Sequence, residues 1–360
     1  VKYFFSTKLG IISSGLLIGA IAVLLQYWGN PPNMGICLAC FLRDTAGALG
    51  LHRAAPVQYI RPEIIGMFGG AFLAALLFKD YRPTGGSSPL VRFFLGAFAM
   101  FGALVFLGCP WRALLRLAGG DGNAILGIGG LLLGILVGIA FLKRGYSLGK
   151  KSQLSKGVWW MLPAFWGALL LFVIFRVSFT EGGAIFFSTS GPGSLAAPLL
   201  LSLAAGLLIG IIAQRSRFCT VGAFRDAILV KDFHLLSGVL ALVASAFVLN
   251  LFLGQFNPGF ANQPIAHSDS LWNILGMSLA GLAFTLAGGC PGRQLFLSAE
   301  GDMDAGVFVM GMIFGAGLAH NFGIAASPKG VAFVGQAAVL VGIAFCLILG
   351  LTNLERGKKA

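Results

Sequence analysis

Charge is scarce in this chain of 360 residues. Asp, Glu, Lys and Arg together make up 10% of it, against about 25% in a soluble domain. With 57% hydrophobic residues and a mean hydropathy of +0.89, too little polar surface remains to coat a water-facing globule, which excludes a soluble enzyme. Acidic residues are the rarer sign, 12 against 25 basic. None falls clearly inside an apolar run, so proton or sodium coupling has no visible mid-span carrier. The four histidines (His52, His234, His267 and His320) are scattered. Without a Cys/His cluster neither structural zinc nor haem is expected, so the sequence predicts no metal and no cofactor. The net charge of +13 does not point to nucleic acid either. The basic residues stand between apolar runs, where an excess marks cytoplasmic loops.

What is present is apolar length. Runs of spanning or near-spanning length fall at about 9–28, 63–78, 91–108, 124–142, 158–177, 197–213, 235–254, 271–289, 305–323 and 332–351. Fifty-three glycines suit helices packed by close backbone approach. The first run follows Lys2 and Lys8 but lacks a small-residue cleavage site, and reads as a retained helix. Ten spans put both termini on one side. That side then carries all the Lys and Arg except seven: Arg43, Arg53, Arg61, Arg112, Arg116, Arg176 and Lys329. The bias places both termini in the cytoplasm. Trp28, Trp159, Trp160 and Trp272 near span ends read as interfacial anchors in the lipid bilayer.

Four more apolar segments, about 35–50, 110–118, 218–230 and 291–299, are too short to span. A helix of about ten residues is about 15 Å long, half the hydrocarbon thickness. Such segments are either re-entrant half-helices held by surrounding protein or short helices lying at the interface, and length alone does not choose.

These segments repeat. Cys37, five residues, then Arg43-Asp44 recurs as Cys219, five residues, then Arg225-Asp226; the offset is 182. Gly108-Cys109-Pro110-Trp111-Arg112 recurs as Gly289-Cys290-Pro291-Gly292-Arg293 with an offset of 181, and a Gly-Asp pair follows each, ending at Asp121 and Asp302. Two motifs whose offsets agree within one residue indicate an internal duplication. Each copy has four spans and two half-segments, and one span separates the copies, which inverts the second relative to the first. The sequence therefore predicts an all-α polytopic membrane protein of about ten transmembrane helices in two inverted repeats with re-entrant half-helices. Residues 1–150 form the first repeat, 151–190 a linker helix and external loop, 191–325 the second repeat, and 326–360 a final helix and basic tail.

The chemistry sits at the duplicated thiols. Proline suits the first position of a helix, so Cys109-Pro110 and Cys290-Pro291 place each Cys at a helix N-cap, where free N–H groups and the helix dipole favour an anion. Arg112 and Arg293 follow three residues later on roughly the same face. Arg43 and Arg225 lie farther along and either line a vestibule or pair with the adjacent Asp. Cationic surroundings and a soft thiol suit a polarisable sulfur or selenium anion. A lone membrane Cys is by default a small apolar residue, but four repeat-matched ones are hard to read so. Cys37 and Cys40 also form a C-x-x-C pair, which suits either a redox couple or a metal pair. Asp121 and Asp302 read as helix caps and Glu63, after Pro62, as an ordinary helix start. His52, Arg53 and Arg61 read either as a basic mouth for anions or as a solvated interface. Because Cys109 directly follows an 18-residue span, it is expected near the outer surface unless that helix tilts or starts deep, and Cys290 likewise.

The run Gly29-Asn-Pro-Pro-Asn-Met-Gly-Ile-Cys37-Leu-Ala-Cys40-Phe-Leu-Arg43-Asp44, both Gly-Cys-Pro-x-Arg motifs and Arg217-Phe218-Cys219 resemble the YeeE/YedE sulfur-transport family. The first half is most similar to its YedE-type branch, which is associated with selenium. The resemblance covers nearly the whole chain. It implies an importer in the bacterial inner membrane for thiosulfate-like or selenium anions. Cys109, Cys219 and Cys290, with Cys37 as a fourth thiol, would pass substrate along by S–H···S contacts. It also implies a cytoplasmic sulfur or selenium carrier protein as a partner. Cys40 and the tenth span depart from a minimal version of that plan. A quinone-linked thiol oxidoreductase using Cys37 and Cys40 is the alternative of another class.

Overall fold

The computed structural model describes residues 4–158, 160–175 and 185–354. Lys2, Trp159, Arg176, the external-loop residues 178–184 and the basic tail with Arg356, Lys358 and Lys359, all assigned a side or a role above, lie outside the described residues. The chain is all-α: α1 (Lys8–Tyr27), α2 (Leu38–Ala48), α3 (Pro62–Leu77), α4 (Pro89–Phe106), α5 (Pro110–Ala118), α6 (Asn123–Lys143), α7 (Met161–Ile174), α8 (Leu199–Ser216), α9 (Thr220–Leu229), α10 (His234–Phe252), α11 (Ser270–Ala287), α12 (Pro291–Ala299), α13 (Met303–Asn321) and α14 (Phe333–Thr352). Proline opens α3, α4, α5 and α12, where its missing N–H costs nothing.

Nine stretches among the described residues are long and apolar enough to cross a membrane, some of them with a short neighbouring helix joined on. This is a multi-pass membrane protein. The tenth expected span is α7, 14 residues long as described; of its predicted run, residues 159, 176 and 177 lie outside the described residues. All four short segments are helices of nine to eleven residues.

Polar connections gather at two ends. At one, Arg82 and Thr84 N–H groups donate to the Glu300 and Gly301 carbonyls, Thr84–Gly85 pairs antiparallel with Ser152–Gln153, and Ser147 N–H reaches Asn353. Lys79, Lys143, Arg215 and Lys231 lie at helix ends here, so this is the basic end. At the opposite end the N–H groups of Asn257, Ser188 and Ala326 donate to the carbonyls of Gly119, Gln58 and Leu104.

Between the ends, α1 packs along α10, α3 along α8, α4 along α13, α6 along α11, and α4 against α11 at the centre. Let α1–α6 correspond in order to α8–α13. Then α1/α10 exchanges with α3/α8, α4/α13 with α6/α11, and α2/α12 with α5/α9, while α4/α11 maps onto itself. Backbone approach makes these contacts. A Cβ on Gly102 would stand 2.4 Å from the Gly276 carbonyl oxygen, and one on Gly210 would stand 2.2 Å from that of Met67. Small residues are what allow helices in lipid to pack this closely.

Candidate functional site: two groups of thiols

All four repeat-matched cysteines are helix N-caps. Cys37 caps α2, Cys109 caps α5, Cys219 caps α9 and Cys290 caps α12. The Cys-Pro argument anticipates two of these; the other two lack proline, and their Sγ atoms instead accept from the backbone N–H groups of Cys40 (3.3 Å) and Gly222 (3.2 Å). All six cysteines are free and buried, and Cys346 stands apart in α14.

The first group joins α2 to α5. Cys37 Sγ lies 2.8 Å from Cys40 Sγ and 3.8 Å from Cys109 Sγ. Cys40, without a counterpart in the second copy, is therefore a full member of this group. The second group joins α9 to α12: the Cys290 N–H donates to Cys219 Sγ at 3.4 Å.

The depth question is answered by the chain after α1. Residues 28–36 turn back along that helix, and a Cβ on Gly35 would meet the Ala22 carbonyl oxygen at 1.8 Å. Ala22 is five residues short of the end of α1, so the chain has descended about 8 Å before Cys37 begins α2. Cys109, 3.8 Å away, is thus not left at the outer surface. Its preceding helix stops early at Leu107, which takes a left-handed conformation at φ 63. The equivalent position in the second copy is Gly288, also left-handed at φ 94, where glycine carries no Cβ penalty.

Arg112 is wholly buried, and no carboxylate among the described residues pairs with it. Its guanidinium donates to the carbonyls of Leu107, Asn33 (3.2 Å) and Ile265 (3.2 Å), and lies 3.9 Å from Cys40 Sγ. Carbonyls share out its N–H bonds but leave its positive charge uncancelled beside three thiols. Arg293, its counterpart, is 15% exposed and is paired with Glu300 at 3.1 Å.

Arg43 and Arg225 take the second of the two readings given to them: each pairs with the Asp that follows it. The basic mouth is not formed. Arg61 is buried, giving its N–H groups to Asp44 and to the Leu195 and Pro192 carbonyls. His52 is buried against the Arg43 carbonyl, while Arg53 lies over the Phe186 ring. Asp302 caps α13 and pairs with Lys151. Asp121 accepts from the Asn123 N–H and from Arg116. Glu63 sits in the first turn of α3 as expected and accepts from Asn30 and Ser202.

At the basic end a cavity of about 320 Å³ is lined by Asp80, Arg82, Gln214, Arg215, Arg217 and Glu300. Of its lining residues, Glu300 is the partner of Arg293, and Arg217 stands two residues before Cys219.

Residues 215–350, the part that holds Cys219, Cys290 and Arg293, match the family model described as Sulphur transport. Over 104 residues, 28% of this chain, the sequence is 39% identical to the thiosulfate transporter TsuA of Spirochaeta thermophila. Over 103 residues, 29% of this chain, it is 31% identical to TsuA of Escherichia coli. The matched stretch spans 29% of the length of each of these curated relatives. These matches agree with the resemblance to the YeeE/YedE sulfur-transport family read from the motifs of both copies.

Proposed function

We propose that this protein imports a small sulfur-containing anion across a bacterial inner membrane by way of two groups of thiols. The observation that carries the reading is the pairing of N-cap thiols from separate half-helices, Cys37 with Cys109 and Cys219 with Cys290, beside a buried guanidinium that has no carboxylate partner among the described residues. A soft thiol meets the sulfur of such an anion; helix N-termini and Arg112 meet its charge. Arg293, Pro110 and Pro291 complete the two half-helix starts.

Exchange of helix partners between the halves supports two inverted repeats, 1–150 and 191–325, with the half-helices re-entrant from opposite faces. The predominance of Lys and Arg at the basic end supports a cytoplasmic orientation for that end and for both termini. Its cavity, where Arg82, Arg215 and Arg217 outnumber Asp80 and Glu300, supports release of the anion there, toward a cytoplasmic carrier protein. Both relatives are thiosulfate transporters, which favours thiosulfate as substrate. The YedE-like run through Cys37 keeps selenium anions in view, since selenium makes similar soft contacts.

Uptake of radiolabelled thiosulfate and selenite into proteoliposomes tests this. Cys109→Ala and Cys290→Ala should each abolish uptake while the protein stays monodisperse in detergent. Uptake at the wild-type rate by both would overturn the reading. The 2.8 Å approach of Cys37 and Cys40 favours one other reading, a quinone-linked thiol oxidoreductase. In that case Cys40→Ser kills quinone reduction and no anion crosses.

A further inference from the structure

The two groups of thiols do not meet. Between them lies Trp111, the second residue of α5, and it is only 2% exposed. Its indole ring stands edge-on to Phe218, the residue before Cys219, at 5.6 Å, and 6.2 Å from the Phe296 ring. A Cβ on Gly292 would be 3.3 Å from its Cζ2 and 3.4 Å from its Cε2. Trp111 and Gly292 occupy the same position in the two Cys-Pro-x-Arg motifs. The start of α5 therefore projects a large ring into the space that the start of α12 leaves by having no side chain. A tryptophan in both motifs would not fit, and a glycine in both would leave the centre open.

One atom of this ring lacks a partner. Trp111 Nε1 is buried with no hydrogen bond, and Cε2, the carbon bonded to it, is one of the two atoms lying over Gly292. A buried indole N–H ordinarily finds an acceptor, and leaving a donor unsatisfied is costly. The bare donor thus lies at the N-terminus of α12, two residues after Cys290, where backbone N–H groups are also free.

We propose that Trp111 is the central gate of the anion path and its specificity-determining donor. At rest the ring separates Cys37, Cys40 and Cys109 from Cys219 and Cys290. When the anion passes between the groups, Nε1–H donates to one of its oxygens. This rests on the transport reading above and adds to it the residue that holds the two halves of the path apart. A thiol alone recognises sulfur; an N–H aimed at the same anion adds selection for a species that also carries an oxygen acceptor, such as thiosulfate, over sulfide.

The test has two arms. Trp111→Phe keeps a ring and removes the donor, so KM for thiosulfate should rise about tenfold with KM for sulfide unchanged. Trp111→Ala removes the barrier, so proteoliposomes loaded with a halide-quenched dye should admit iodide, which wild type and Trp111→Phe exclude. Where the Ala variant is not monodisperse, Trp111→Leu takes its place. The double variant Trp111→Gly/Gly292→Trp, which supplies the ring from the other half, should restore the barrier. A wild-type KM in Trp111→Phe, or exclusion of iodide by the truncated variant, overturns the proposal. Failure of the wild-type protein to take up thiosulfate instead sinks the transport reading, and the iodide arm still reads the barrier.

Discussion

The two halves of this molecule use the same motifs under different degrees of enclosure. In the first, every residue of α2 is buried; in the second, burial within α9 is confined to Thr220, Val221, Gly222 and Ala223. The duplicated Arg-Asp pair shows the contrast most directly. Arg43 and Asp44 are 2% and 0% exposed, and Arg61 adds a second guanidinium to the same carboxylate; Arg225 and Asp226 are 29% and 25% exposed and stand as an isolated pair. The repeated arginines of the Cys-Pro motifs differ in the same direction, Arg112 enclosed by carbonyls and Arg293 near a cavity with its own carboxylate. One sequence pattern thus builds a half whose Arg-Asp pair is fully enclosed and a half whose pair is partly exposed. Residues 28–36 and 185–198 lie over the first half, whereas only Arg217 and Phe218 separate α8 from Cys219; the strand-like contact of Gly259 with Asp121 over the first half is matched by that of Thr84 with Asp302 over the second. A duplicated motif therefore does not fix its own environment.

The largest expected effect is on stability. Asp44→Asn leaves two buried guanidiniums without their carboxylate and should cost about 3–5 kcal/mol, read as a large drop in the thermal midpoint in detergent. Asp226→Asn, at the matched position, should cost ~0–1 kcal/mol. Equal shifts would break the contrast between the halves.

Thiol accessibility is the next measure. In variants retaining one cysteine, an impermeant methanethiosulfonate applied from the basic end should modify Cys219 about tenfold faster than Cys37, because partial exposure governs thiol reactivity. Equal rates, or a faster Cys37, would contradict the assignment of the more exposed half.

The smallest effect concerns pH at the end opposite the basic one. His267 uses both ring nitrogens: Nε2–H donates to the Val105 carbonyl at 2.7 Å, and Nδ1 accepts from the Asp269 N–H at 3.2 Å. Burial pushes its pKa below the ordinary histidine value, and His52, bound in the same way to the Arg43 carbonyl and the Ala54 N–H, is shifted in the same direction for the same cause. A depressed histidine pKa means that the unfolded chain binds the proton more readily. Stability is then full above about pH 6.5, the unfolded value, and falls as pH drops below it. The thermal midpoint should decline between pH 7 and pH 5, and His267→Gln should flatten that decline. A midpoint independent of pH over this range would remove the histidines from the account.

Much of this was legible from local pattern. Apolar runs read as helices because a backbone in lipid must satisfy its own hydrogen bonds. Cys109 and Cys290 read as N-caps because proline follows them, and the duplication was visible in a shared offset. Asp302 was readable as a cap for the same local reason. Long-range partners were not legible. Arg61 resembled a surface cation until Asp44, Pro192 and Leu195 closed around it. The C-x-x-C spacing pairs Cys40 with Cys37 locally, but its place in a group with Cys109 and beside Arg112 is set by the packing of α2 on α5. The reciprocity of Trp111 and Gly292 was printed in the two motifs, yet it gains meaning only when α5 and α12 are known to face each other.

The sequence by itself determined that this chain is an all-α membrane protein with two copies of a thiol motif, because hydropathy, helix-start chemistry and repeat spacing are local properties. Tertiary structure decided the rest: that the thiols divide into a group of three and a group of two, that one Arg-Asp pair is enclosed and the other partly exposed, and that a single indole lies between the thiol groups. Those features depend on which side chains meet between segments distant in the chain, 72 residues apart for Cys37 and Cys109 and 71 for Cys219 and Cys290, and such packing is set by shape and burial rather than by any local pattern.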